Sequence, residues 1–453
     1  RSFFVFAPGP PRSFLGRLLR PAQGWSPPAA MGSARDISLL DEQRCIQPWQ
    51  NACQDAGQAT AAEPRQTASA RAITVNLITG GLGSAIFSLP WSVAGSSVVT
   101  SALVVGVVLC LNGWTISIMV RAAERYKVFD LGGVIAHLPC GLGRPLQPIT
   151  NVFVWASMFL CLVSYIIVMH DSAQKFVKGM WMDNRMLLVA LASLCVLPLC
   201  FLSQRFLEKT SFLAIVVNIY LFALVAVLYG QAASDDKLPT GCCLLGSTIR
   251  GNFSLASVMF QAVIVQMCVL PMYQELENRS PQKFDKIVAV AFGALFFIFC
   301  AFSICGYLLI GPTVSPNILE DLPKNAGGSI AQVGTILVVA CVYPIMVYPM
   351  IAPLLAGESQ TFLGLNRGMV VSVAKVLIVA AAMLTAAVCT NLGQVNVING
   401  AMSAGVFVAL IPSIVGILLL NAGCVQRVAL IALLVVGLGL SVAGVLFQKK
   451  HVA

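Results

Sequence analysis

Charged side chains are scarce in this chain of 453 residues: they make up 10% of it, whereas hydrophobic residues make up 58%. A soluble domain usually carries about 25% charged residues, which cover its surface. So few charges exclude an ordinary soluble enzyme, a disordered protein and a nucleic-acid-binding protein. The net charge of +10 does not indicate a nucleic-acid-binding protein, because most basic residues stand in short gaps between apolar stretches.

Motifs for catalysis, nucleotide binding and metal binding are also lacking. The chain contains no GxxxxGK[ST] motif, which excludes a self-contained ATP-driven pump. Its 15 cysteines lie mostly inside apolar stretches, without a CxxC pair or a Cys/His spacing typical of zinc. No nucleophile, base and orienting group stand in a recognisable pattern. We therefore predict that the chain is not an enzyme and has no catalytic residue, metal site or organic cofactor.

Long apolar stretches fill most of the chain from Ile73 onward. A membrane-spanning helix needs about 20 mostly apolar residues. Eleven stretches meet this requirement, separated by short polar gaps, and no long alternating pattern favours a membrane barrel instead. They run over about 73–91, 95–120, 148–170, 186–204, 211–231, 253–274, 287–311, 328–355, 369–388, 393–420 and 427–447. The sequence predicts an all-α integral membrane protein with about 11 transmembrane helices.

The first 70 residues differ in composition from the rest. Residues 1–30 have four Arg, six Pro and no acidic residue, which is typical of either a targeting remnant or sequence upstream of a start at Met31. Residues 31–70 are polar and mixed in charge, which predicts a disordered tail. Basic residues are concentrated on this side of the spans, so we expect the tail in the cytosol. The transporter domain is then 71–453.

Two of the spans carry features that interrupt a helix. The first contains the run Thr79-Gly80-Gly81-Leu82-Gly83-Ser84, and glycine weakens a helix by about 1 kcal/mol relative to alanine. The sixth contains Gln261, Gln266 and Pro271, and proline removes a helical hydrogen bond. Either feature alone is compatible with close helix packing or a simple kink. Because the two lie five spans apart, they favour a transporter of two inverted repeats with a central site.

Several segments of the chain are similar to segments of a known protein family. They are VNLITGGLGSAIFSLPW (75–91), FDLGGVIAHLPCGLGRPLQ (129–147), VLPMYQELENRS (269–280), YPIMVYPMIAPL in span 8 and GAMSAGVFVALIPSI in span 10. In these segments the chain resembles the amino acid/auxin permease family, which includes sodium-coupled neutral and proton-coupled amino acid transporters. The resemblance covers about residues 70–447. It implies a leucine-transporter-like 5+5 inverted repeat with broken helices 1 and 6.

The resemblance also implies roles for individual residues. Substrate-binding positions would be Thr79, Gly80, Gly81, Gly83, Ser84, Gln266 and Tyr343, with the backbone of the glycine run meeting a substrate carboxylate. Cation-binding positions would be Asn76 and Cys341. For each single side chain, the alternative is an internal polar contact without a functional role.

The eighth span departs from the sodium-coupled pattern. Sodium-coupled members have a hydroxyl residue before the Tyr343-Pro344 step, but here the residues are Ala340, Cys341 and Val342. A hard cation such as Na⁺ prefers oxygen ligands, so the missing hydroxyl favours coupling to protons over coupling to sodium. Proton coupling needs an ionisable group in the core, and the candidates are His170, Asp171 and Glu275. Lys375 fits better as a side chain that reaches for the inner membrane surface.

These observations predict secondary active transport of small neutral amino acids by alternating access, coupled to Na⁺ or H⁺. The expected partners are the amino acid and the lipid bilayer, not nucleic acid, and the sequence does not identify a partner subunit. The expected location is the plasma membrane or an endolysosomal or vacuolar membrane. Two alternatives remain open at this stage: an amino-acid sensor with little flux, and a transporter of another small solute such as a polyamine or an auxin-like acid.

Overall fold

The computed structural model describes residues 68–179, 183–202, 204–246, 248–355, 361–362, 365–420 and 423–446. The predicted leader and nearly all of the predicted tail, up to residue 67, lie outside this part. Within it the chain is almost entirely helical. We call the face at which the first helix begins the inner face, and the opposite face the outer face.

The first five spans fill the part of the chain up to Ser234. Small polar side chains start several of these helices: Ser97, for example, accepts a hydrogen bond from the Thr100 amide at the start of the second span. In chain order the helices are α1 Ala70–Gly81, α2 Leu89–Ala94, α3 Val98–Tyr126, α4 Leu131–Ala136, α5 Gly143–Val177, α6 Arg185–Leu199 and α7 Gln204–Ser234.

The remaining spans lie between Ile249 and Leu446. In chain order their helices are α8 Ile249–Ala262, α9 Gln266–Glu275, α10 Pro281–Ile310, α11 Ala326–Leu355, α12 Arg367–Val388, α13 Leu392–Ser403, α14 Ile411–Leu418 and α15 Cys424–Leu446. A short π-helical segment, Ala404–Leu410, joins α13 to α14 within one span. Between α11 and α12, strands β1 Thr361–Phe362 and β2 Leu365–Asn366 form a small antiparallel hairpin that the all-α prediction did not include.

The predicted number of spans agrees with the structure. Among the described residues, 9 helical segments are long and apolar enough to cross a membrane, counting α8 with α9 and α13 with α14 as one span each. The bent pair Ala70–Gly81 and Ser84–Ala94 is a further crossing. The short apolar helix α6 of 15 residues lies in the remaining predicted stretch, about 186–204. It reaches only about 22 Å, less than the hydrocarbon thickness of about 30 Å.

The centre of the bundle is closely packed around the interrupted spans. Leu77, Ile86 and Leu89 of the first span, and Val263 of the sixth, have no exposed surface. Helix α13 of span 10 packs closely along α8 of span 6, and α10 of span 7 packs along α1 and α2. The two interrupted spans therefore lie inside the bundle, with the other spans around them.

Candidate functional site

The first span is interrupted where its glycine run predicts. Helix α1 ends at Gly81, and the chain turns through Leu82 and Gly83 into a 3₁₀ turn over Ser84–Ser88, with a bend of 46°. Gly83 is extended, with φ −85° and ψ −171°, so it cannot continue either helix. The last carbonyls of α1 and the first amides of the following turn consequently lack regular helical partners.

The second interruption lies several residues before the proline that the sequence indicated. Helix α8 ends at Ala262 and α9 begins at Gln266, so the break is at residues 263–265. Pro271 lies inside α9 and is not the cause. The break coincides with Val263, Ile264 and Val265, three consecutive β-branched residues, which have low helix propensity because their χ1 angles are restricted.

The two breaks face each other at the same level of the bundle. A Cβ atom built on Gly80 would lie 3.7 Å from Cγ1 of Val265. Among the described residues, apart from its chain neighbours, no heavy atom would lie within 4 Å of a Cβ atom on Gly83, so open space adjoins this residue. Gly81 differs, because its Cβ would lie 2.8 Å from Cδ1 of Leu295 in α10. Gly81 therefore serves close packing against span 7, and Gly83 adjoins the space between the breaks.

The helix ends give this space both kinds of partial charge. At the two breaks, α1 and α8 end in carbonyl groups that lack regular helical partners, and the 3₁₀ turn and α9 begin with amide groups that lack them. A carboxylate is stabilised by such amides, and an ammonium group by such carbonyls. The arrangement can therefore hold a zwitterion without a charged side chain.

Two glutamines flank the break of span 6. The side-chain amide of Gln266, at the start of α9, donates to Oδ1 of Asn112 in α3, and Nδ2 of Asn112 donates to the carbonyl of Val108 at 2.9 Å. Gln261, near the end of α8, donates through Nε2 to the Cys161 sulfur at 3.1 Å. Its Oε1 is buried and has no hydrogen-bond partner in the described part of the chain, so it remains available as an acceptor.

The other predicted site residues of span 1 differ in their surroundings. Ser84 begins the 3₁₀ turn and is buried, and Asn76 is buried in α1 less than two turns before the break. The hydroxyl of Thr79 donates to the carbonyl of Val75 at 2.8 Å, within its own helix. Thr79 thus makes a local contact that limits how freely its hydroxyl can turn towards a ligand.

The predicted residues of span 8 differ in their burial. Tyr343 is fully buried, its hydroxyl included. This hydroxyl has no hydrogen-bond partner among the described residues. Cys341 is half-buried, and the earlier hydroxyl residue Thr335 donates to the carbonyl of Ala331 at 2.8 Å.

A polar seam between spans 1, 3 and 10 was missed by the sequence analysis. Asn396 of α13 accepts from the Ser164 hydroxyl at 3.0 Å and donates to the Ser88 hydroxyl at 3.0 Å. Asn399, one helical turn later, accepts from the Ser157 hydroxyl at 2.8 Å. The available signal was two asparagines three residues apart in an apolar stretch, which places both on one face of a helix.

At the inner face, a cluster of polar contacts is centred on Glu124. Its partners are Lys127, Tyr273 and Arg279. The Tyr273 hydroxyl donates to Oε2 of Glu124 at 2.9 Å, and Nε of Arg279 lies 3.5 Å from the same oxygen. Lys127 pairs with the other oxygen of Glu124. These contacts join the inner end of span 2 to the inner end of span 6 and to the residues that follow span 6. Separately, Lys375 donates to the Cys200 carbonyl at 2.8 Å, at the C-terminus of α6.

The histidine and aspartate considered for proton coupling are both buried near the outer end of α5. His170 is 2% exposed and Asp171 is 5% exposed, and Nδ1 of His170 lies 2.9 Å from Oδ1 of Asp171. This pair lies near the outer end of the third span and contacts the loop between spans 7 and 8 through Asn317. It forms a second polar site of the molecule.

Comparisons with known proteins agree with this geometry. Residues 66–448 match the family model described as transmembrane amino acid transporter protein. The chain is 22% identical over 294 residues to Amino acid transporter AVT6E of Arabidopsis thaliana, covering 60% of each protein. It is 24% identical over 303 residues to Vacuolar amino acid transporter 6 of Saccharomyces cerevisiae, covering 62% of this chain and 65% of that one. The chain thus spans about six tenths of the length of these relatives.

A solved structure shows the same fold. The chain superposes on a structure titled "Inward facing conformation of Mhp1" with a TM-score of 0.57 and 15% sequence identity, covering 85% of this chain and 90% of that one. At this identity the likeness concerns the arrangement of helices alone. It supports the expected leucine-transporter-like architecture, in which spans 1 and 6 are the interrupted ones.

Proposed function

Because the chain belongs to the transmembrane amino acid transporter family, we propose that it moves small neutral amino acids across a membrane by secondary active transport. The observation that carries this proposal is the pair of facing helix breaks beside open space at Gly83. Four helix ends converge there with both carbonyl and amide groups exposed.

In the proposed binding mode, the backbone recognises the two charged groups of the amino acid. The carboxylate accepts hydrogen bonds from the amides that begin the Ser84–Ser88 turn and α9. The ammonium group donates to the carbonyls that end α1 and α8. The unpartnered Oε1 of Gln261 is a further acceptor on the outer side of the break.

The polar side chains around the breaks favour a neutral substrate side chain. Those described at this level are Asn76, Ser84, Asn112, Gln261 and Gln266, all buried and all uncharged. A cationic or anionic substrate side chain would enter this region without an opposite charge, at a large desolvation cost. Small neutral amino acids avoid this cost.

We propose a proton or sodium gradient as the driving force, with the proton favoured. A sodium ion would need oxygen ligands, and span 8 presents Cys341 where a hydroxyl is needed. Thr335 is more than a turn away, and its hydroxyl already donates within its own helix. The relatives include a yeast protein named as vacuolar, which is compatible with an acidic compartment on one side of the membrane.

Uptake into proteoliposomes tests the proposal. Radiolabelled alanine, glutamine and proline are offered under an imposed proton gradient and, separately, under an imposed sodium gradient. We expect saturable uptake of at least one of them that is driven by the proton gradient. Binding without flux would favour the sensor, and neither binding nor flux for any amino acid would refute the proposed function.

A further inference from the structure

The loop between spans 7 and 8, residues 311–325, folds into the outer face of the bundle. Its short 3₁₀ turn Ile318–Glu320 packs against the Ser84–Ser88 turn, which is the outer side of the first break. Ile318 and Leu319 have no exposed surface. A Cβ atom on Gly306 of α10 would lie 2.7 Å from Ile318 and 2.8 Å from Pro90, which shows how closely these elements meet. We call residues 311–325 the outer loop.

Polar contacts fasten the outer loop to span 3. Nδ2 of Asn317 donates to Oδ2 of Asp171 at 2.9 Å, and both residues are buried. The other oxygen of Asp171 lies 2.9 Å from Nδ1 of His170. Nε2 of Gln332 in α11 donates to the Leu319 carbonyl at 3.3 Å. Asp171 is thus the point at which the loop, through Asn317, meets the side chains of α5.

A second carboxyl group reaches the same point. The Glu320 carboxyl lies beside that of Asp171 and is hydrogen-bonded to it, although the residue as a whole remains exposed at the outer face. Burial of the carboxyl, followed by the neighbouring charge of Asp171, raises the pKa of Glu320 to about 8. Two carboxylates in contact repel each other unless one of them is protonated. Closure of the loop therefore brings together two acids that need a proton between them.

The surrounding charges do not remove this requirement. Lys175 lowers the pKa of Glu320, but its ammonium group also donates to the Leu322 carbonyl. Arg185 lies 3.5 Å from Nδ1 of His170 and donates to the Ala386 carbonyl at 2.8 Å. The charged and titratable groups around Asp171 and Glu320 are His170 and Lys175 of α5, Arg185 of α6 and Asp183 before it, and Asp321 and Lys324 of the loop.

We propose that Asp171 and Glu320 form a proton-binding site that holds the outer loop closed, so that acid at the outer face favours closure and loss of the proton favours opening. This site adjoins the outer side of the first break, and its role does not depend on which solute is carried. The exposed side of Glu320 gives the proton a direct route from the outer solution. Asp321 cannot replace Glu320, because it already accepts from the Ser315 amide at 2.7 Å and the Ser315 hydroxyl at 2.8 Å.

The direction of the pH dependence follows from the raised pKa. The ordinary pKa of a glutamate is 4.5, and closure raises that of Glu320 to about 8. The stabilisation of the closed loop is therefore complete below about pH 4.5 and is lost as the pH rises through about 8. Each unit of difference in pKa between the closed and open loop corresponds to about a tenfold change in their ratio.

Hydrogen–deuterium exchange of the full chain in lipid nanodiscs tests this site. Exchange in peptides covering 315–322 is expressed relative to an unstructured peptide at the same pH. We expect protection of the wild-type loop to fall by up to about a hundredfold between pH 6 and pH 9. Glu320→Gln should keep the loop protected at both pH values, because the amide donates to Asp171 without a titrating proton.

The control is Asp235→Asn, which alters an exposed acid in the loop after α7 and should behave as the wild type does. If Glu320→Gln does not fold, Asp171→Asn should weaken the pH dependence, because Glu320 no longer meets a like charge while the burial of its carboxyl remains. Equal protection of the wild type at both pH values, or an unchanged pH dependence in the variants, would overturn the proposal. Exchange does not require transport, so failure of the proposed function would not imitate either result.

Discussion

A glycine of the first span adjoins open space, whereas a glycine of the tenth span permits close packing of two backbones. A Cβ atom on Gly83 would meet nothing within 4 Å beyond its chain neighbours, whereas one on Gly400 would lie 1.7 Å from the carbonyl oxygen of Ser257. Gly83 adjoins the space that we assign to the substrate. Gly400 lets the backbones of α13 and α8 touch. The same residue type thus adjoins open space in one region and allows close backbone contact in the other.

The difference teaches that glycine content alone cannot locate a site. Even within the first span, Gly81 packs against Leu295 while Gly83 faces open space. What separates the two is conformation: Gly81 is still helical, and Gly83 is extended between a helix and a 3₁₀ turn. Substitutions at these glycines should therefore have different effects on folding and on binding.

The largest effect on folding is expected at Gly400, where the backbones of α13 and α8 touch. Gly400→Ala would force α13 away from the backbone of α8, and we expect it to destabilise the protein by about 3 kcal/mol or more. The measurement is the thermal unfolding midpoint of the purified protein. Gly439→Ala is the matched control, because a Cβ there meets no heavy atom within 4 Å. A midpoint for Gly400→Ala equal to that of the control would contradict the packing account.

A smaller loss is expected from the polar seam between spans 1, 3 and 10. Asn396→Ala removes the bonds to the hydroxyls of Ser164 and Ser88 and leaves these buried groups with fewer partners. The expected cost is about 1–3 kcal/mol, which the same unfolding measurement would detect. Asn366→Ala, at the exposed start of α12, is a comparison in which only a helix cap is lost, at about 1 kcal/mol. An unchanged midpoint for Asn396→Ala would show that the seam does not contribute to stability.

The smallest effect is expected at Gly81. Its Cβ would meet Cδ1 of Leu295 at 2.8 Å, but this side chain can shift, and alanine improves helix propensity by about 1 kcal/mol. We expect Gly81→Ala to change the free energy of unfolding by less than about 1 kcal/mol, because the two contributions oppose each other. Amino acid binding should change by less than about twofold, because the methyl group points towards span 7. A large loss of binding would place Gly81 in the site after all.

Much of the fold could be predicted because membrane spans have a strong signal. Apolar length alone located the eleven stretches, including α6, whose 15 residues are short for a span. In span 6 the sequence indicated an interruption by Gln261, Gln266 and Pro271, and the break at residues 263–265 lies between the two glutamines and not at the proline. A proline within a helix can be accommodated by neighbouring helices, whereas the place of an actual break depends on tertiary packing.

The candidate site was less predictable than the fold. The glycine run identified the first break, because three glycines in four residues act locally on the backbone. The seam of Asn396 and Asn399 and the contact between Asp171 and Asn317 join residues more than 140 positions apart. Such contacts have no local signal in a single sequence. The sequence could nominate His170 and Asp171 as ionisable groups, but it could not place Glu320 beside them.

The central claim is that a substrate occupies the open space at Gly83, and binding to the purified protein tests it most directly. Gly83 has φ −85° and ψ −171°, which valine adopts readily, so Gly83→Val should fold normally while its side chain fills this space. The control is Gly293→Val in α10, where the new side chain would also meet open space but at an exposed position. Radiolabelled alanine, glutamine and proline are the probes in a scintillation proximity assay. We predict that Gly83→Val weakens binding by at least about tenfold, equivalent to about 1.4 kcal/mol, while Gly293→Val binds as the wild type does. Equal affinity of Gly83→Val and the wild type would contradict the claim.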